Sequence, residues 1–365
     1  MDRRSFLKTP GSALVQLLQP PRSPHRPLRR STTDMVIVST WPRDFPGLGT
    51  SAQRLAARIG ELTEGRINVQ YFAAGERVGA FDSFDEVASG NAQAYIGADY
   101  YWKGKHPAWA YFTAVPFGLT YAEIDAWIKY GGGQELWDEL AGEFGVKNFA
   151  AGNTGVQMGG WFNKEIKSLE DYKGLKMRIP GLGGEVVAAA GATVVNLPGG
   201  EIPPALAGAV DATEWVGPWN DYFMKFYEAA KYYYYPGMHD PGSQLAMGMN
   251  KAWYDGLSKT DQAIIEAVCN EENARQMAES NANNGIYLDK LINEHGVELK
   301  RFNDEVYDAF GEAAAEVFEE TREHSDLAAR THDSFAKARS EIGRWMLLAD
   351  TGYTVQRNRV LGISI

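Results

Sequence analysis

The chain has 365 residues, 44% of them hydrophobic and 23% charged, with a formal net charge of −11. That is enough for two or three domains with sizeable cores, and the acidity excludes nucleic acid as a main partner because phosphates would be repelled. The single cysteine, Cys269, excludes an internal disulfide, a thiolate zinc site and an iron–sulfur cluster.

Residues 1–30 carry seven basic residues against one acid, so the rest of the chain holds a net charge of −17. Asp2-Arg3-Arg4-Ser5-Phe6-Leu7-Lys8 has the form of the twin-arginine head of a bacterial export signal, but no apolar run with a small-residue cleavage site follows. From Gln16 to Arg30 every residue except Ser23 is Leu, Pro, Gln, Arg or His. Those are the residues that alanine codons yield when GC-rich DNA is read one base out of frame. Residues 1–33 are therefore set apart as an export-signal region, either frame-shifted or a basic, Pro-rich tail.

A buried first strand is predicted at 35–41 and a helix at 49–64, with Leu55, Ala56, Ile59 and Leu62 at helical spacing. A strand at 67–72, a helix through Phe84, Val87 and Ala88, and a strand at 93–98 follow. The order recurs with a strand at 193–197, a helix at 202–207 and a strand at 211–215. Gly90-Asn91-Ala92-Gln93-Ala94 lies over Gly208-Ala209-Val210-Asp211-Ala212, and aromatics follow each: Tyr100, Tyr101 and Trp102, then Trp215 and Trp219.

A unit built twice predicts two α/β lobes facing one another, with ligands in the cleft beyond the strand ends. The division is lobe 1 at 34–155, lobe 2 at 156–249, a return to lobe 1 at 250–303, and a long helix with a C-terminal tail at 304–365. The apolar stripe from Asp304 to Met346 predicts one helix of about 60 Å, longer than a lobe, and hence a homodimer built on it.

No nucleophile elbow, zinc-protease, Walker, C-x-x-C or EF-hand motif is present, so an enzyme is the weaker class. The glycines of Gly181-Leu182-Gly183-Gly184 read as a strand-to-helix turn, since Val186 stands where a dinucleotide fingerprint needs its third glycine. The six histidines show no ligand spacing, and His239 alone sits near the cleft, where it suits hydrogen bonding.

Arg178 ends a predicted strand and can clamp a carboxylate through two parallel hydrogen bonds, or serve an internal ion pair. Gln157 offers an amide to a ligand or cation, and Asn153 stands in the same strand-end segment. Glu214, flanked by Trp215 and Trp219, must be paired, protonated or bound to a cation. Asp240, in His239-Asp240-Pro241-Gly242, lies on a turn that can return to the cleft or be plain turn chemistry. The aromatic run 232–235 reads as a packed strand.

The K-M-R-I-P-G segment around Arg178, the D-A-T-E-W segment, the Tyr-Tyr-Tyr-Tyr-Pro-Gly run and the W-F-N-K-E and M-N-K-A-W segments closely resemble the solute-binding subunits of TRAP transporters, the DctP family. Within it the chain is most similar to the subgroup that binds 2-oxo acids such as pyruvate with a metal ion. The resemblance runs from about Met35 to Trp345. It implies two lobes joined by hinge strands that close over the ligand, a periplasmic location, delivery of the solute to membrane permease subunits, and no catalysis. It also implies an arginine clamp at Arg178, with Gln157, Tyr100, Asn153, Trp215 and Trp219 around the ligand. A cation, sodium with calcium as the alternative, would be held by Glu214, the Trp215 backbone, Gln157 and Asp240, where the family pattern has a longer Glu. Binders of 2-hydroxy acids or C4 dicarboxylates, and a two-lobed enzyme acting on a carboxylate, remain as alternatives.

Overall fold

The computed structural model describes residues 32–364; the basic stretch at 1–31, and the export-signal and reading-frame expectations for it, lie outside the described residues. The first part of the chain forms β1 (Thr33–Ser39), α1 (Leu48–Leu62), β2 (Ile67–Phe72), α2 (Ser83–Ala88), β3 (Ala94–Gly97), α3 (Tyr121–Tyr130), α4 (Gly133–Glu143) and β4 (Val146–Asn153). The middle part forms β5 (Gly160–Phe162), β6 (Lys176–Arg178), α5 (Gly181–Ala189), β7 (Thr193–Val195), α6 (Ile202–Leu206), β8 (Ala212–Thr213), α7 (Pro218–Met224) and β9 (Tyr232–Tyr235). The last part forms β10 (Gln244–Asn250), α8 (Lys251–Asp255), α9 (Lys259–His295), β11 (Glu298–Arg301), α10 (Asp304–Glu323), α11 (Asp326–Met346) and α12 (Gly352–Leu361).

Two sheets result, ordered β2-β1-β3-β10-β4 and β11-β9-β5-β8-β6-β7. In the first, β1 pairs in parallel with β2 and β3, and β10 runs antiparallel between β3 and β4. Ile37 and Val38 are both buried, as expected of a strand covered on both faces. On one face α1 lays down Leu48, Ala52, Leu55, Ala56 and Ile59.

The predicted repeat is real in space: β3 pairs in parallel with β1, and β8 in parallel with β6, each after a short helix. The chain leaves these strands into the pocket, at Tyr100 and Tyr101 from one sheet and at Glu214 and Trp215 from the other.

Besides α8 and α9, which lead from β10 to β11, two short segments carry the chain between the sheets, 154–159 from β4 to β5 and 236–243 from β9 to β10. They run side by side: Thr154 N donates to Ser243 O (3.2 Å), Gln157 N to Asp240 O (2.9 Å) and Gly237 N to Gln157 O (3.0 Å). The hinge therefore carries two of the expected site residues.

Three boundaries differ from the sequence reading. Strand β10 belongs wholly to the first sheet, so 244–249 sides with lobe 1, because its buried Leu245, Ala246, Met247 and Met249 fill that core. Strand β11 adds to the edge of the second sheet beside β9, so the segment around it does not stay with lobe 1. Between them α9 runs 37 residues as one rod against β4, α1 and α7, spanning both lobes.

The third difference concerns 304–346, which is two helices. Ser325 is extended (φ −162°) and its hydroxyl caps the Ala328 N–H at 3.0 Å, which stops one helix and starts the next. Helix α10 packs on α5, and α11 packs on α3 and α4. The stripe Val306, Phe310, Ala314, Val317, Phe318, Leu327, Phe335 and Ala338 is thus buried within the chain and needs no second copy. A long C-terminal helix is present all the same: α11 continues through a π-turn at Leu347–Thr351 into α12, exposing Trp345, Leu347, Leu348, Tyr353, Val355 and Val360. No helix of the described residues is long and apolar enough to cross a membrane.

Candidate functional site

The strand ends and the two crossovers converge on a narrow cavity of about 10 Å³ lined by both lobes and the hinge. Trp41, Leu48, Tyr100, Tyr101 and Leu245 come from the first lobe; Thr154, Gln157 and Ser243 come from the crossovers; Trp215 and Val216 come from the second lobe. Trp41 and Trp215 meet edge to face across it, ring centroids 6.1 Å apart. Two wider hollows lie on the outer face of the first lobe, beside α1, and hold none of these groups.

Arg178, at the end of β6, is 1% exposed and forms an ion pair with Glu214, at the end of β8, which is fully buried. Its Nη1 also donates to the Glu214 carbonyl (3.3 Å), and its Nε and Nη2 donate to the Leu197 carbonyl (3.1 and 2.9 Å). The guanidinium lies 5.5 Å from the Trp215 ring centroid. Glu214 Oε2 lies 3.2 Å from His239 Nε2. Burial alone would lower the His239 pKa, but the hydrogen bond and charge of Glu214 outweigh it and raise it above the ordinary value.

A second group of atoms faces the same space without protein partners. Gln157 Nε2 donates to Thr154 Oγ1 (3.1 Å), which leaves Gln157 Oε1 buried and unbonded, as Asp240 Oδ1 also is. The Trp215 carbonyl accepts no hydrogen bond among the described residues. Burial pushes the Asp240 carboxyl up to about 7, with the His239 charge and the Ser243 and Tyr100 hydroxyls acting against it. Two carboxylates, one amide oxygen and one backbone carbonyl make a hard-oxygen donor set, which fits sodium or calcium. Among the described residues no group of three or more His, Cys, Asp or Glu is placed to hold a metal ion by itself.

Of the expected residues, Tyr100, Gln157 and Trp215 line the pocket, Arg178 and Glu214 pair beside it, and Asp240 joins Gln157 through the backbone. Asn153 does not face the pocket: its Oδ1 accepts from Gly155 N (2.8 Å) and its Nδ2 reaches Gly242 O (3.3 Å), so it shapes the hinge. Trp219 packs on Gly47 of the first lobe, and its backbone N–H donates to Asn284 Oδ1 (3.1 Å); it stands at the lobe contact rather than in the lining. Tyr101 lines the pocket as the post-strand aromatics predict, whereas Trp41, two residues beyond β1, carries no ligand role in the sequence reading. Trp41 ends the first strand pattern, and the Tyr101 hydroxyl lies within hydrogen-bonding reach of Arg178. Gly183 was read as turn chemistry; the helix starting at Gly181 bears this out, and a side chain at Gly183 would come within 2.4 Å of His239 Cβ.

Residues 37–324 match the model of DctP, the bacterial extracellular solute-binding proteins of family 7. The monocarboxylate 2-oxoacid-binding periplasmic protein all3028 of Nostoc sp. (strain PCC 7120 / SAG 25.82 / UTEX 2576) is 39% identical over 318 residues, covering 87% of each chain. A TRAP periplasmic solute-binding protein of Pseudoalteromonas atlantica T6c, solved with sodium and pyruvate, is 37% identical with a TM-score of 0.86, covering 88% of this chain and 98% of that one. A TRAP periplasmic solute-binding protein of Colwellia psychrerythraea, solved with calcium and pyruvate, is also 37% identical with a TM-score of 0.86, covering 89% of this chain and 99% of that one.

Proposed function

The chain belongs to the DctP family of bacterial extracellular solute-binding proteins, and from that premise we propose that it captures 2-oxo monocarboxylates of the pyruvate type together with sodium or calcium and hands them to TRAP permease subunits in the membrane. It is a binding protein and not an enzyme. The periplasm is the compartment where such a receptor meets both its solute and its permease.

The observation that carries this reading is the meeting of one buried guanidinium with unpartnered hard oxygens in a single pocket. A 2-oxo acid offers a carboxylate and an adjacent keto oxygen, a chelating pair. Arg178 takes the carboxylate on one side. The cation, held by Glu214, Asp240, Gln157 Oε1 and the Trp215 carbonyl, supplies positive charge to the other side.

Charge accounting favours this arrangement. With His239 protonated, Arg178 and His239 balance Glu214 and Asp240, and an entering carboxylate is neutralised by one sodium ion. With His239 neutral the same site carries two surplus negative charges once the ligand is in, which suits calcium. The remaining lining is aromatic and aliphatic apart from the Thr154 and Ser243 hydroxyls and holds no cation, while Arg178 and His239 already face Glu214, so the second carboxylate of a C4 dicarboxylate would stay unpaired.

The exposed apolar end of the C-terminal helix supports a homodimer, since Trp345, Leu348 and Val355 all stay exposed among the described residues. A thermal-shift panel of pyruvate, lactate and succinate, each with choline, sodium or calcium, tests the reading. Pyruvate with sodium or calcium should raise the melting temperature most, by mass action. An equal shift with succinate, or products accumulating from any acid, would contradict it.

A further inference from the structure

Asp221, on α7, has a role that its position in the core does not by itself explain. It is 1% exposed, and its carboxylate receives only donors: Oδ2 accepts from Trp161 Nε1 (2.9 Å) and Tyr233 OH (2.7 Å), and Oδ1 accepts from Val216 N (3.1 Å). Burial pushes its carboxyl up to about 7 while the three donors favour the ionised form, so an acid is a costly choice where a neutral acceptor would serve an indole and a phenol. The third donor is different. The Val216 N–H belongs to the same peptide unit as the Trp215 carbonyl.

The Tyr235–Pro236 bond is the only cis peptide among the described residues, so the Trp215–Val216 amide is trans and its carbonyl points opposite to its N–H. Asp221 therefore pulls on one end of this amide while the other end stays without a donor. When Asp221 is ionised, its bond at the N–H also polarises the amide and increases the negative charge on its oxygen. The Val216 carbonyl is pinned in turn by Met158 N (3.0 Å), the neighbour of Gln157. The orientation of the Trp215 oxygen relative to the Gln157 amide is thus set by a single residue held on both sides.

We propose that Asp221 is a positioning residue for the bound cation: it aims the Trp215 carbonyl and strengthens it as a ligand through the peptide bond they share. This rests on the cation reading above. Outer partners of this kind typically contribute a factor of 10 to 100 in metal affinity.

Trp215-Val216 is the only Trp-Val pair in the sequence, so protein labelled with carbonyl-¹³C tryptophan and ¹⁵N valine gives one amide-to-carbonyl NMR peak. Calcium is titrated in choline buffer with pyruvate present. In the wild type the Trp215 carbonyl and the Val216 amide proton should both shift saturably, at the same midpoint. Asp221→Asn should move the amide proton upfield and weaken calcium at least tenfold. Tyr233→Phe and Trp161→Phe, which relieve only Oδ2, should change it less than threefold. Folded Asp221→Asn with unchanged calcium affinity would overturn the proposal. So would a wild-type carbonyl that stays still while calcium binds, which needs no variant. If no calcium binds at all by calorimetry and sodium gives the same result, the cation reading itself fails.

Discussion

Arg178 and Glu214 form an ion pair in which both side chains are removed from water, 1% and 0% exposed, at the ends of two neighbouring parallel strands of the second sheet. A pair so desolvated is weak evidence for stability, because hydrophobic residues of equal volume often serve as well. Its value lies in holding a guanidinium and a carboxylate, side by side, where a small anion and a cation can separate their duties.

Arg178→Lys should lose most of the affinity for pyruvate, about 2 to 5 kcal/mol, since an ammonium cannot hold the Leu197 carbonyl and Glu214 together and still reach the ligand. Titration calorimetry measures it. Pyruvate bound within threefold of the wild type would remove Arg178 from the carboxylate position.

Trp41 and Trp215 belong to opposite lobes and touch edge to face. Ligand-driven closure should therefore change tryptophan emission, and Trp41→Phe should abolish most of that change. An undiminished signal in Trp41→Phe would locate the reporter elsewhere.

Much of this arrangement was legible in the sequence because strand ends announce themselves. The glycine turn after 176–178 and the acid before Trp215 lie where strand patterns stop, and the paralleled Gly-x-x-x-Ala segments 90–94 and 208–212 lead into β3 and β8. What pattern could not give was which of two roles a buried polar group plays. Asn153 and Gln157 sit four apart in one segment, yet the first spends its amide on Gly155 and Gly242 while the second leaves an oxygen free. Helical spacing likewise continues across 324–325, and only the extended backbone and capping hydroxyl of Ser325 break it. Asp221 carries no sequence signal; its meaning comes from Val216 folding back on it.

The relocated dimer surface gives a third expectation. Deleting 345–365 should leave a folded monomer, because none of the described residues from 345 to 364 is buried. Cutting at His324 instead strips Leu327, Ala328 and Phe335 from the first lobe and should unfold it. Light scattering and melting curves separate the cases, and a 1–344 chain that stays dimeric would place the interface elsewhere.

Asp99 sets a pH dependence away from the pocket. Tyr95 OH, Trp137 Nε1 and Asn148 Nδ2 all donate to it (2.9, 2.9 and 2.8 Å), yet burial lifts its carboxyl from 3.8 to about 7. The folded chain then binds this proton more tightly than the unfolded chain. The resulting stability is complete below about pH 4 and is lost as pH rises through 7. Asp99→Asn should cost about 1 to 3 kcal/mol at pH 5 and flatten the fall in melting temperature between pH 4 and 7. A slope identical to the wild type would show that Asp99 is ionised throughout.

The most direct test is calorimetry of pyruvate binding after exhaustive dialysis into chelated, sodium-free choline buffer, repeated with sodium and with calcium restored. Affinity should fall at least tenfold without a cation, return with either ion, and stay low in Glu214→Gln whatever is added. Undiminished binding in the chelated buffer would mean that pyruvate binds without metal and that Glu214 serves only its buried pair with Arg178.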